Sequence, residues 1–423
     1  MPFCSHRHSF LGRSSGAGGL GIWLWHLKDT EVVSYSDEYY TGPALKVAPG
    51  VIGAEAVEAA AAHDLVVVTG ECPTVAVAGG FTQGGGHSAL STSYGLAADQ
   101  TLEFEVVTAE GKMLTASRTE NSDLYWALSG GGGGNYAVVM SVKIRAHPAA
   151  KVGGAKLSMA AAYTTQENFD KAIAEFHKLL PGMIDQGASV VYYASKQVFA
   201  ISPLTIVNST GDVVRDEILA PFTKKLLELA VPASVSYSTL DYLDHYDTYM
   251  GPLPWGHIEV SAYQFGSRLI PKSLLEDDPA AFQSTIDNIT SQGVLAVGSA
   301  AAYSKPFDVD NAVLPAWRDA YIQLQLTTPW SNDPDKLDSM VATQHRITNE
   351  FNPQLAALTP GGGAYMNEAD FREPNWKQTW FGDNYERLYS VKRKYDPSSL
   401  LYMFKGVGSD AWEVAGDGRM CRT

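Results

Sequence analysis

Gly70-Glu71-Cys72-Pro73-Thr74-Val75-Ala76-Val77-Ala78-Gly79-Gly80-Phe81-Thr82-Gln83-Gly84-Gly85-Gly86-His87-Ser88 is the most informative stretch of this chain. Five of the eight residues from Gly79 to Gly86 are glycine. Without Cβ atoms such a run reaches φ > 0 and can turn several backbone N–H groups toward one point, the geometry that cradles a diphosphate. No G-x-x-x-x-G-K-[ST] pattern occurs, so a P-loop is excluded. A dinucleotide fingerprint fits poorly, because the cluster opens no helical pattern. A tight surface loop is the other reading of the same glycines. Cys72 is equally open: a small buried hydrophobe, or a thiolate able to attach to an electrophilic cofactor.

Ahead of this stretch, residues 18–50 alternate apolar runs with turn residues and predict strands. Val51–Ala62 reads as a helix and Asp64–Thr69 as a buried strand. Behind it, Leu102–Val107 and Lys112–Ala116 suggest a hairpin, and Asn121-Ser122-Asp123 can cap a helix through Leu128. Gly130–Gly134 then precede an alternating strand from Val138. A flexible linker has no purpose between a capped helix and a strand of one domain, so this run predicts close approach of backbone to a ligand. After His147-Pro148 the glycine runs cease. Strand patterns at Ser189–Tyr193, Val198–Val207, Ile258–Phe265 and Val294–Ala301 interleave with amphipathic helices at Gln166–Leu180, Arg215–Leu229 and Pro279–Asn288. Without βαβ regularity this predicts an α+β chain, with a first domain over 1–148, a second over 149–360 and a C-terminal segment over 361–423.

The 423 residues carry a formal net charge of −15, which argues against nucleic-acid and anionic-membrane partners. Apolar segments end at about ten residues, too short to span a bilayer. Met1–His8 holds no apolar run of signal-peptide kind, so a soluble chain of unassigned compartment is expected. Cys4, Cys72 and Cys421 cannot all pair, which excludes a disulfide framework. His6 and His8 form an H-x-H, but no further Cys or His cluster supports a metal. Near the end, Tyr365-Met366-Asn367-Glu368-Ala369-Asp370 and Asn384-Tyr385-Glu386-Arg387-Leu388 concentrate carboxylates and tyrosines, either general bases or a solvated helix face.

Taken together, HSFLGRSSG (8–16), GECPTVAVAGGFTQGGGHS (70–88), YGLAADQTLEFEVVTAEG (94–111), SDLYWALSGGGGGNYAVV (122–139), YMNEADFREPNW (365–376), NYERL (384–388) and KYDPSSLLY (394–402) resemble the berberine-bridge-enzyme-like FAD-linked oxidoreductases. These belong to the vanillyl-alcohol-oxidase/PCMH flavoprotein superfamily, and the likeness is greatest to the fungal branch. The resemblance implies a PCMH-type FAD-binding domain, a substrate domain with an antiparallel sheet backed by helices, and a C-terminal segment returning to the flavin. It implies bicovalent FAD, with His8 on the 8α-methyl and Cys72 on C6. Further flavin contacts are implied at Gly12 and Ser14, at Gly79, Gly80, Gly84, Gly85, Gly86 and His87, and at Asn135, Val138 and Asn384.

Some relatives carry Y-x-N-Y, the second tyrosine acting as base; here the matching position is Glu368, with Tyr365 in support. A structural pairing of Glu368 with Arg372, four residues on, is the alternative. Relatives carry a further flavin subdomain ahead of the histidine motif, whereas seven residues precede His8 here, so an FAD domain incomplete at its start is expected. The resulting expectation is oxidation of a hydroxyl or amine of a small molecule, with O2 as acceptor, in fungal secondary metabolism. The alternatives are a carbohydrate oxidase, using Trp255, Trp317, Trp330 and Trp380 as sugar platforms, and a truncated non-catalytic remnant.

Overall fold

The computed structural model describes residues 3–4, 9–14, 16, 18–257, 262–304 and 309–423. Two antiparallel sheets organise the chain. The first has five strands, β1 (Thr30–Ser36), β2 (Thr41–Val47), β3 (Thr101–Val107), β4 (Met113–Ser117) and β5 (Val138–Arg145), in the order β1-β2-β5-β3-β4. Period-2 patterning sets its two faces. Leu102, Phe104 and Val106 are buried from β3, while Glu103 and Glu105 point the other way to Lys143 at 2.6 Å and Lys46 at 2.7 Å. The helix Gly53–Ala61 buries its small face, and Glu55 bonds back to the Ile52 N–H at 2.9 Å as an N-terminal cap.

The second sheet has seven strands: β6 (Val152–Ala160), β7 (Ser189–Ala194), β8 (Val198–Val207), β9 (Ala233–Leu240), β10 (Tyr263–Pro271), β11 (Leu295–Ala300) and β12 (Ala320–Pro329). Their order is β9-β6-β8-β7-β11-β12-β10. One face packs on helices that include Gln166–Asp185, Ala220–Glu228 and Pro279–Thr290, through Phe169, Phe176, Phe199, Phe222 and Leu324. In β7, Val190, Tyr192 and Ala194 join that core, while Val191 and Tyr193 face the opposite way, into a cavity.

Several local expectations differ from the structure, among them the strand expected over Ile258–Phe265, which is observed over Tyr263–Pro271, residues 258–261 lying outside the described residues. The predicted strand Asp64–Thr69 forms a ladder only at Leu65–Val66, paired with His147–Pro148; Val67 and Val68 are buried in an extended lead into the glycine stretch. That stretch is not free of helix, since Val77–Phe81 makes one wide helical turn, broken in regularity at Gly79 (φ −82°, ψ −143°). The helix expected over Gln166–Leu180 runs on through Pro181 to Asp185, because Met183 and Ile184 bury their side chains on the same face.

The chain's last segment returns to the first sheet. Met366, Ala369, Trp380, Phe381, Leu388 and Tyr395 share one core with Leu45, Phe104 and Val142. The helix Tyr385–Tyr395 is anchored by Lys392, whose ammonium donates to Asp396 Oδ2 at 2.5 Å, Asn135 O at 2.6 Å and Leu401 O at 2.7 Å, all buried. No helix among the described residues is long and apolar enough to cross a membrane, and no group of three His, Cys, Asp or Glu is placed to hold a metal.

Candidate functional site

The two glycine runs meet. Thr82 Oγ1 donates to Val77 O at 2.6 Å and Gln83 Nε2 to Ala78 O at 2.8 Å, which fixes the helical turn. Gly132 N then donates to Gln83 O at 2.7 Å, and a Cβ on Gly133 would stand 3.2 Å from Gly80 Cα. The pentaglycine run is therefore packed backbone to backbone, not a linker. Gly86 adopts φ +67°, and a Cβ there would lie 2.8 Å from Ala97 Cβ, so only glycine fits the turn that delivers His87.

Below this junction lies a cavity of about 930 Å3, floored by the glycine runs and roofed by the free face of the seven-stranded sheet. Of the residues singled out from sequence, Ser14, Cys72, Gly79, Gly80, His87, Tyr365 and Glu368 line it. Gly12, Gly84, Gly85, Gly86, Asn135, Val138 and Asn384 do not. Gly84, Gly85 and Gly86 form the turn behind the wall. Asn384 Nδ2 donates to Ala312 O and Val313 O, both at 3.2 Å, and Asn135 O receives Lys392. Gly12 shapes a tight turn at φ +72°, and Val138 opens β5. His8 lies outside the described residues.

The charged corner of the cavity brings together four side chains from three parts of the chain. His87 Nε2 lies 3.1 Å from Glu368 Oε2, and His87 Nδ1 lies 3.8 Å from Glu71 Oε2. Gln325 Nε2, from β12, donates to Glu368 Oε2 at 2.6 Å. Burial alone would pull the imidazolium down, but Glu368 and then Glu71 outweigh it and raise its pKa from 6.5 to about 10. His87 is thus a cation held between two carboxylates. The Tyr365 ring meets His87 edge-on at 5.4 Å and its hydroxyl accepts from Asn367 Nδ2 at 2.8 Å; burial, then Glu368, push the phenol up, so it stays protonated. Arg372 does not pair with Glu368, since it turns to His345 Nε2 at 2.9 Å.

Glu71, Gln325 and Arg13 were not anticipated. Glu71 sits in the quoted glycine stretch beside Cys72, and Gln325 is one of two amides, with Gln323, that alternate with Ile322, Leu324 and Leu326 in β12. Arg13 has all its nitrogens on backbone oxygens: Nε on Phe404 at 3.0 Å, Nη1 on Met366 at 3.0 Å and Nη2 on Lys405 at 3.3 Å. It fastens the N-terminal segment to the C-terminal one. Of the four candidate sugar platforms, Trp317 and Trp380 are buried in cores, whereas Trp330 lines the cavity and Trp255 is exposed.

The sign of His87's shift gives a pH prediction. Its stabilising contribution is complete below pH 6.5 and is lost as pH rises through about 10. His177 and His245, buried as neutral rings, are depressed by burial to about 4 and about 3, so their contributions are complete above pH 6.5 and are lost as pH falls through those values. Thermal melts should show a maximum near neutrality, with a shallower alkaline decline in His87→Gln. An alkaline limb as steep as wild type would contradict the His87 assignment.

Residues 364–408 match the family described as berberine and berberine like, and residues 3–117 match an FAD binding domain. The FAD-linked oxidoreductase ZEB1 of Gibberella zeae is 45% identical over 419 residues, 98% of this chain and 73% of that protein. The crystal structure of the VAO-type flavoprotein MtVAO615 from Myceliophthora thermophila superposes with a TM-score of 0.91 at 40% identity, over 98% of this chain and 76% of that one. The chain belongs to the berberine-bridge-enzyme-like branch of the vanillyl-alcohol-oxidase/PCMH flavoproteins. As a member of that family it is an FAD-dependent oxidoreductase with an α+β, PCMH-type fold. The glucooligosaccharide oxidase of Acremonium strictum, which carries a 6-S-cysteinyl, 8α-N1-histidyl FAD, shares the fold at 18% identity, a TM-score of 0.70, and coverage of 92% of this chain and 82% of that one.

The cavity of this berberine-bridge-like chain suits a flavin. At Gly80, which lines it, a Cβ would meet no atom within 4 Å and would take up ligand space, whereas the bare backbone leaves room for a flat ring. Gln83 Oε1 is buried at the same wall without a hydrogen-bond partner. Cys72 borders the same space.

Proposed function

We propose that this chain oxidises a hydroxyl of a small organic molecule, with Glu368 taking the hydroxyl proton. The observation that carries this is the Glu71–His87–Glu368–Gln325 cluster opening onto a cavity with glycine backbone on one side and Cys72 at its border. FAD held there supplies a two-electron acceptor for the hydride that leaves the carbinol carbon. The chain's own residues manage the proton. Gln325 fixes one Glu368 oxygen, and the His87 imidazolium bonds the same carboxylate. Glu368 and then Glu71 hold His87 in the charged form, so the proton released by the substrate passes to Glu368 and not to the ring. Tyr365, neutral and packed against His87, positions the pair.

Cys72 and His8 are the proposed covalent attachment points, with Ser14, Gly79 and Gly80 along the ring and phosphate path. O2 is the proposed final acceptor, and fungal secondary metabolism the proposed setting. The domain division at 148 and 360 is proposed to separate flavin-binding from substrate-binding parts, with the last segment completing the flavin side.

The test is retention of flavin fluorescence on acid-precipitated, washed protein. Wild type should keep it, and Cys72→Ala should lose part of the cofactor's linkage while remaining soluble. A soluble wild-type protein that releases all its flavin on precipitation would rule out covalent attachment.

A further inference from the structure

Cys72 borders the cavity from an irregular loop, and that loop is held from both sides. After Cys72 the hold comes from the start of the helix Gly53–Ala61. There Gly53 N donates to Val75 O at 2.9 Å and Ala54 N to Pro73 O at 3.0 Å, donors that a helix's first turn cannot satisfy itself. Before Cys72 the hold comes from a part of the chain that follows the first strands of the second sheet. Tyr246 lies on the helix Tyr242–Met250, directly after β9, and its hydroxyl donates to Gly70 O at 2.5 Å. That phenol is fully buried and passes close to Gly53, where a Cβ would stand 3.0 Å from its oxygen. The turn after the same helix reaches Pro73, since a Cβ on Gly256 would lie 2.9 Å from Pro73 Cδ. One segment thus touches the loop on each side of Cys72.

The bond to Gly70 matters because of the residue it holds. Glycine is conformationally permissive, so the Gly70 carbonyl would otherwise have several directions open to it. The carbonyl shares its plane with the Glu71 N–H, and so sets the course of the chain into Glu71 and Cys72. Glu71 then reaches His87 Nδ1 at 3.8 Å, and Cys72 Sγ lies 3.4 Å from Thr74 Oγ1. Burial, then Tyr242, push the Tyr246 phenol well above its usual range, so it keeps the proton it donates.

We propose that Tyr246 is a positioning residue for the cofactor loop: by holding the Gly70 carbonyl it fixes the Gly70–Glu71 peptide, and with it Cys72 at the cavity's border and Glu71 toward His87. This rests on the reading of Cys72 as an attachment point. In that attachment one S–C bond forms, while the S–H bond of Cys72 and one C–H bond of the ring break. The two protons and the electron pair released reduce O2, the acceptor proposed above, to hydrogen peroxide.

The test compares wild type, Tyr246→Phe and Tyr249→Phe, each purified with its flavin, denatured, alkylated with iodoacetamide and digested. Mass spectrometry gives the ratio of Cys72 peptide carrying flavin to Cys72 peptide carrying the alkyl group. Tyr249 lies on the same helix with its hydroxyl 2.8 Å from Ser238 Oγ, away from the loop, so its variant controls for loss of a hydrogen bond as such. The ratio should fall about fivefold or more in Tyr246→Phe, in line with the loss of one buried hydrogen bond, and stay within about twofold in Tyr249→Phe. Tyr246→Met serves the same purpose if the phenylalanine variant does not fold. The proposal is overturned if Tyr246→Phe keeps the wild-type ratio, or if Tyr249→Phe falls as far. A wild-type protein with no flavin on Cys72 would overturn the attachment point, and Tyr246 is then judged by the rate at which iodoacetamide alkylates Cys72 in the native protein. A rate changed about fivefold in Tyr246→Phe and not in Tyr249→Phe supports the positioning role, and equal rates in all three overturn it.

Discussion

Glu368→Gln is expected to lower kcat by roughly 10²–10⁴-fold, the usual worth of a positioned general base, in a protein that still folds and carries flavin. The substitution is nearly isosteric. The amide oxygen of a glutamine at 368 can still accept from His87 Nε2, and the neighbouring Gln325 amide can re-pair. What the variant cannot do is accept a proton from the substrate. A second readout follows from the same geometry. Glu368 contributes most to keeping His87 charged against burial, so the imidazole should titrate below the wild-type value of about 10. The pH profile of flavin reduction should move with it. A Glu368→Gln enzyme with kcat within about threefold of wild type would remove Glu368 from the proton path, because so small a change lies well below the range for a general base.

The chemistry-bearing corner was only half legible in the sequence, for a physical reason. Cys72, His87, Tyr365 and Glu368 stand in motif-like stretches, and a glycine-dense run announces itself through the backbone freedom it allows. Their partners are brought in by tertiary structure. Glu71 reaches His87 from the far end of the same loop, and Gln325 arrives from a strand more than 230 residues later in the chain than His87. One sign was present: in Ala320–Pro329 the alternation that buries Ile322, Leu324 and Leu326 on one face sends Gln323 and Gln325 to the other, where amides have no place in an apolar core. The same period-2 rule made Val198–Val207 and Val138–Arg145 readable to their ends. It did not help where burial was uniform, as along Val66–Val68, because periodicity vanishes when both faces are covered.

Arg318→Met should destabilise the protein by about 3–5 kcal/mol, the cost of leaving a buried carboxylate without its cation. Asp99 is fully buried. It receives Arg318 Nη1 on Oδ2 and Nη2 on Oδ1, both at 2.8 Å, with Asn311 Nδ2 at 2.7 Å and the Leu96 N–H at 2.9 Å. Arg318 also reaches Tyr303 O at 3.1 Å, so the pair clasps the turn after the glycine stretch to the connection leading into β12. At roughly 2–4 °C per kcal/mol for domains of 150–250 residues, Tm should fall by about 6 °C or more. The loss reaches the site by a short route. The Ala97 and Ala98 N–H groups donate to the carbonyls of Gly86 and Gly85 at 2.8 and 2.9 Å, and Trp317, next to Arg318, stacks on His87 at 6.3 Å. Loosening the clasp should therefore shift the His87-dependent pH profile as well as stability. The double substitution Asp99→Asn with Arg318→Met removes the stranded charge and should recover part of the lost Tm, because the penalty lies in the uncompensated carboxylate and not in the missing guanidinium. A single Arg318→Met variant melting within a degree or two of wild type would mean that Asn311 and the Leu96 N–H alone suffice to hold Asp99.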